Sequence, residues 1–183
     1  MTYQDELLRF LEQPENFHFL MEIEPMIGEV KRRVYQNYLN QILEKHIRPR
    51  LWPGYKINFS NSFLVLDNTD SQARNRLHIG MYWRYRADNS VKYYGIMTPD
   101  RCNPQVAEVE NLKMILHNLG MNNEPGTDYY SWQYFDRTDD QLLRLPAEDV
   151  PDCLEEWANV FWNTADAIKP YVEAVNIALK KNL

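Results

Sequence analysis

The sequence predicts an α+β domain: a mainly antiparallel sheet of about four strands, packed against a long N-terminal helix and a long C-terminal helix. Three observations carry this expectation. Residues 76–86 alternate so strictly between apolar and polar that they read as a strand with two different faces. Strand-like segments are grouped rather than alternating singly with helices, which separates α+β from a doubly wound parallel sheet. Residues 25–47 and 151–181 repeat apolar side chains at three-four spacing, as long amphipathic helices do.

Taken in order, a short helix is expected over 4–12, where Leu7, Leu8, Phe10 and Leu11 form a stripe before Pro14. A second begins near Pro25 and runs to about 47, with Met26, Ile27, Val30, Val34, Tyr38, Ile42 and Leu43 on its buried side and Lys31, Arg32 and Arg33 largely opposite. Pro49 and Trp52-Pro53-Gly54 stop it. One strand is expected over 56–66, with Ile57, Phe59, Phe63 and Val65 sharing a face, and a polar turn follows from Asp67 to Ser71. The strand at 76–86 comes next and is joined to a strand at 91–97 by a short polar link, which favours a hairpin. Asn103-Pro104 opens a helix to about 118, with Asn103 as its N-cap and Gly120 as its C-terminal cap. Residues 128–135 form an aromatic strand, and the last helix spans 151–181 with Pro170 kinking or splitting it. The expected organisation is a helical segment over 1–50 and an α+β domain over 51–183, packed together as one unit.

With 183 residues and 44% hydrophobic content, the chain is long enough to bury a proper core. Cys102 and Cys153 are too few for a disulfide framework and read as two reduced, buried thiols. No apolar run is long enough to span a membrane, and the acidic, amphipathic N-terminus does not look like a signal segment. The expected location is therefore the cytoplasm, without a membrane partner. Net charge is -6, but it is segregated. Residues 1–30 carry one basic and seven acidic groups, residues 31–92 carry twelve and four, and residues 93–183 carry seven and fifteen. Such asymmetry implies either an anionic partner for the basic stretch or pairing between segments.

Catalytic chemistry is not legible. The four histidines are scattered and no cysteine pair has metal-ligand spacing, so neither a metal site nor a cofactor is expected. No nucleophile motif is present, and the six glycines never cluster as a phosphate cradle requires. Asp100, Glu108 and Lys113 superficially evoke a nuclease metal site, but Lys113 falls on a helix rather than on the strand that such chemistry needs. No catalytic residue is assigned.

The basic face of the 76–86 strand is what remains. Arg76, His78, Tyr82, Arg84 and Arg86, with Lys56 and Lys92 nearby, form the candidate partner-binding set. Arginine offers bidentate hydrogen bonds to phosphate, and tyrosine stacks on bases. Both residue types are also enriched at protein interfaces. A third reading has the acidic last helix, through Glu155, Glu156 and Asp166, covering and neutralising this face. The deciding question is which face of the strand that helix covers.

Four segments carry a family resemblance: Arg76-Leu-His-Ile-Gly-Met-Tyr, Tyr93-Tyr-Gly-Ile-Met, Tyr130-Ser-Trp-Gln-Tyr-Phe and Ile168-Lys-Pro-Tyr-Val. Their order resembles the region that follows the catalytic core in a group of bacterial PD-(D/E)XK superfamily nucleases. The family's catalytic acids and lysine lie upstream of that region, where this chain has only a helical segment. No catalytic residue therefore carries over to any position. The resemblance implies an accessory region standing alone, one that competes with a nuclease for its substrate or partner, or acts in phage-bacterium conflict. The resulting expectation is a non-catalytic binding module, a regulator or inhibitor acting through an interface with another protein, with a homodimer also open. The alternative is a nucleic-acid-binding accessory protein, and the last is a divergent metal-dependent nuclease.

Overall fold

The grouped strands form one antiparallel sheet in the computed structural model, which describes residues 3–60, 63–68, 76–84, 91–98, 104–122, 129–135, 142 and 145–181. Its members are β1 (Tyr55–Phe59), β2 (Phe63–Asn68), β3 (His78–Arg84), β4 (Val91–Met97) and β5 (Tyr129–Tyr134), paired in that order. The sheet therefore has five strands where about four were expected. The extra one arises because the chain reverses between Ser60 and Phe63, where the Ser60 amide donates to the Phe63 carbonyl at 2.9 Å. The single strand expected over 56–66 is thus a hairpin. Asp67 and Asn68, expected in a turn, belong to β2.

The helices are α1 (Tyr3–Leu11), α2 (Pro14–Ile42), α3 (Glu108–Asn118) and α4 (Val150–Lys181). Two compact units divide the chain, Met1–Asn37 and Tyr38–Leu183. This boundary falls inside α2 rather than at residue 50. Leu39, Ile42, Leu43 and Ile47 are buried and belong to the larger unit's core.

In the smaller unit, α2 starts eleven residues before the expected Pro25, at Pro14, whose fixed φ suits a first helical position. The Gln13 carbonyl accepts from the Asn16 and Phe17 amides, and the Asn16 side chain donates to the Phe10 carbonyl at 2.8 Å. Pro25 lies within the helix, on an exposed side. Within the larger unit a π-helical turn follows at Leu43–Ile47, and a 3-10 turn at Arg48–Arg50 ends the helical stretch at Pro49.

Alternation along each strand gives the sheet an inner and an outer face. The inner face is built in cross-strand rows, Ile57-Leu66-Ile79-Ile96 and Phe59-Leu64-Met81-Tyr94, and most of these side chains are fully buried. Helix α4 packs here. Tyr94 meets Phe135, and Phe135 stacks on Trp157 of α4 at 5.2 Å. The Asn176 side chain clamps the Leu77 backbone, accepting its amide at 2.8 Å and donating to its carbonyl at 2.9 Å. The Tyr55 hydroxyl donates to Glu173 at 2.8 Å, and burial, followed by this carboxylate, pushes the phenol above its ordinary range. Trp52 donates to Asp166 at 2.9 Å, and Trp162 donates to the His46 carbonyl at 3.0 Å. The helix runs without a break through Pro170, so of the kink or split expected there the split does not occur.

Helix α3 packs on α4 with Val109, Leu112 and Leu116 buried. It begins at Glu108 with Ala107 as N-cap, not at Pro104, and Asn103 lies outside the described residues. Its other end matches expectation. Gly120 has φ 66°, its amide bonds the His117 carbonyl, and the Met121 amide bonds Leu116, a Schellman cap. Cys153 is a buried free thiol, as expected, and Cys102 lies outside the described residues. No described helix is long and apolar enough to cross a membrane.

The Asn176 clamp yields a prediction. Asn176→Ala strands a buried donor and a buried acceptor on Leu77 and should destabilise the fold by about 2–4 kcal/mol in urea unfolding. A loss below about 0.5 kcal/mol would mean that water replaces the clamp at no cost.

Candidate binding face

Antiparallel partners project on the same side of a sheet, so the register assembles the outer face row by row. Lys56 stands opposite Asp67, Asn58 opposite Val65, and His78 opposite Met97. Phe63, Tyr82, Tyr93 and Tyr134 form one continuous row, and Val65, Gly80, Gly95 and Trp132 form the next. One end of the face is charged and the other aromatic.

At the charged end Asp67 is only 2% exposed. Arg76 Nη2 lies 2.8 Å from its Oδ1 and His78 Nδ1 lies 3.5 Å from the same atom. Its Oδ2 accepts from Asn58 at 3.1 Å and has Lys56 Nζ at 3.3 Å. A carboxylate removed from water needs such company, because an unpaired buried charge is strongly destabilising. Three residues expected to present positive charge therefore converge on one acid.

Among the described residues the last helix packs on the other face, so the expected cover of Arg76 and His78 by it does not occur. Helix α4 lies on the Leu77-Ile79 face, its Asp166 accepts from Trp52, and Glu155 and Glu156 are exposed. The acid that pairs with Arg76 and Lys56 comes from the sheet itself.

Of the remaining candidates, Tyr82 lies in the aromatic row. Arg84 and Lys92 belong to the far end of the β3–β4 hairpin, in the backbone pairs Arg84–Val91 and Trp83–Lys92. Arg86 lies outside the described residues. Sequence reasoning missed Asp67, Asn58, Phe63, Tyr93, Trp132 and Tyr134 as members of this face. The Tyr-Gly and Trp-x-Tyr alternations of β4 and β5 were the available signal.

The aromatic end is packed against itself. Tyr82 stacks on Tyr93 at 4.9 Å, and Trp132 meets Tyr134 edge-on at 4.7 Å. Tyr93 lies 5.9 Å from Trp132 and 6.2 Å from Tyr134. Val65 and Met97 are buried beneath Tyr82, Tyr93 and Trp132. Facing glycines let the neighbouring strands approach closely beneath this layer. A Cβ on Gly80 would come within 2.6 Å of the Met97 sulfur, and one on Gly95, at φ 152°, would strike the β5 backbone. At the rim Phe63 and Tyr134 remain 39% and 55% exposed.

Among the described residues no three His, Cys, Asp or Glu side chains gather as metal ligands. Glu110 and Lys113 pair with each other at 2.8 Å along α3. No family model, curated protein or solved structure matches the chain.

The charged end can be tested by its asymmetry. Asp67→Asn leaves Arg76 and Lys56 facing each other without their acid and should cost about 2–3 kcal/mol, because the buried member is lost. Lys56→Met removes a half-exposed partner and should cost under about 1 kcal/mol. Chemical unfolding of both variants measures the difference. Equal losses would contradict Asp67 as the centre of the cluster.

Proposed function

We propose that this chain is a non-catalytic binding module, a regulator or inhibitor that engages another protein through the outer face of its sheet. The observation that carries this reading is the aromatic layer, with Phe63 and Tyr134 exposed around a stacked centre of Tyr82, Tyr93 and Trp132. Aromatic rings already fixed by their neighbours lose little side-chain freedom on binding and supply large contact area, the properties of interface anchors. Nucleic acid is less well served by the same face. Base stacking needs free ring faces, whereas Tyr82 and Tyr93 already cover one another. Phosphate contact needs available cations, whereas Arg76 and Lys56 share Asp67.

Affinity capture from a nuclease-treated lysate of the source cell tests the proposal, with wild type compared against Phe63→Ser/Tyr134→Ser. Both side chains are exposed, so the variant should keep its unfolding free energy within about 1 kcal/mol of wild type. A genuine partner should be recovered by wild type and lost by roughly tenfold or more in the variant. Capture that ignores the two substitutions, or a salt-sensitive gel shift with nucleic acid that they leave intact, would overturn it.

A further inference from the structure

Helix α2 of the smaller unit carries a second apolar surface, with residue types unlike those of the sheet. Leu20, Ile23, Ile27, Val30 and Val34 follow one another at spacings of three, four, three and four. That rhythm places them on one line along a helix, the seam of a two-helix coiled coil. Phe19 and Met26 flank the line, and Phe19, Met26, Ile27 and Val30 are between 40% and 60% exposed. The opposite side carries exposed Met21 but is otherwise mainly polar, with internal ion pairs. His18 faces Glu22 at 3.2 Å, and Glu29 accepts from both Arg32 and Arg33. Those hydrogen bonds, two from Arg32 first and then one from Arg33, hold the Glu29 carboxyl down at about 2, so it stays ionised. Pro25 also falls opposite the seam, so its missing amide does not interrupt the apolar line.

Charge at the seam's edge selects the occupant and its direction. Glu24 and Lys31 flank the seam on the same edge, seven residues apart, and neither is ion-paired within the described residues. An antiparallel second copy with Val30 against Ile27 brings each Glu24 beside the other copy's Lys31, twice by symmetry. The same register sets Ile23 against Val34. A parallel pair would instead put Glu24 beside Phe19 and Lys31 beside Met26, with no charge matched. We infer that α2 is a self-association helix, which pairs antiparallel with a second copy of this chain across the Leu20–Val34 seam. The seam runs about 21 Å at 1.5 Å per residue. An interface of that length lies at the small end of specific contacts, so the dimer should dissociate in the micromolar range.

Sedimentation equilibrium of the full chain tests this. The mass should rise with concentration from 21.9 kDa toward twice that value. Ile27→Glu/Val30→Glu, at exposed positions, should hold the mass at the monomer value while helical circular dichroism is retained. Glu24→Lys and Lys31→Glu should each weaken the dimer by about tenfold, since each creates two like-charge contacts. Combining the two reversals should restore it to within about threefold of wild type. A monomer at every concentration, a dimer indifferent to the Ile27/Val30 variant, or a double reversal that fails to rescue would each overturn the inference.

Discussion

A five-stranded sheet has two faces, and α4 packs along only one of them; the larger unit is organised around that constraint. On the inner side Trp157, Phe161, Trp162, Ile168, Val172 and Val175 are buried. Each large apolar side chain removed from water contributes roughly 1.5–3 kcal/mol. That sum far exceeds what the polar links to Asn176, Asp166 and Glu173 can add, so those links set register and direction rather than supply the driving force. The two hydrogen bonds from Asn176 to Leu77 illustrate the division. They occur where β3 is about to begin, and they satisfy backbone groups that have no strand partner there.

The outer face must reach a stable arrangement by other means, and its two ends do so differently. At one end Tyr82, Tyr93, Trp132 and Tyr134 lean on one another, and at Gly80 and Gly95 beside them a Cβ would strike the backbone of the neighbouring strand. At the other end Asp67 draws Arg76, Lys56 and His78 together. The basic surplus of residues 31–92 is therefore not one open patch. Part is consumed at Asp67. Arg48 pairs with Glu44, and Arg50 lies over Trp162 while donating to Asn159. Formal charge counted along the chain overstates the field that a partner would meet.

Physical reasons separate the features that were legible in the sequence from those that were not. The face alternation at Leu77, Ile79 and Met81 was readable because a strand buried on one side imposes a polarity of period two. The C-terminal helix and the Gly120 cap were readable for similarly local reasons. The β1–β2 hairpin was not, because its tight reversal keeps the apolar-polar rhythm while resetting which side it faces. Phe63 and Val65 consequently lie on the outer face, away from Ile57 and Phe59. Asp67 was hidden for a related reason, since Asp-Asn followed by Thr-Asp-Ser reads locally as a turn. Its burial depends on cations brought from β1 and from the start of β3. The early start of α2 was masked by Pro25, which suggests a first turn. In the helix its missing amide frees only the Met21 carbonyl, on an exposed side where water can take the acceptor.

Residue type distinguishes the two exposed apolar surfaces, and the partners proposed for them differ accordingly. The outer sheet face is aromatic and internally packed, with the Asp67 cluster of Arg76, Lys56 and His78 at its edge, so it offers a fixed shape. A fixed shape discriminates by fit, which suits a partner whose surface has its own relief. The α2 seam is aliphatic, and its single edge carries one acid and one base at heptad spacing. Aliphatic knobs gain most from an equally regular array of holes, and a surface repeating its own period is the simplest source of one. The flanking charges then add direction, because only an antiparallel copy presents base to acid and acid to base at the same time. On the two proposals together, the chain would double itself through the α2 seam and bind a different protein through the aromatic face, which would give two identical aromatic faces per assembly.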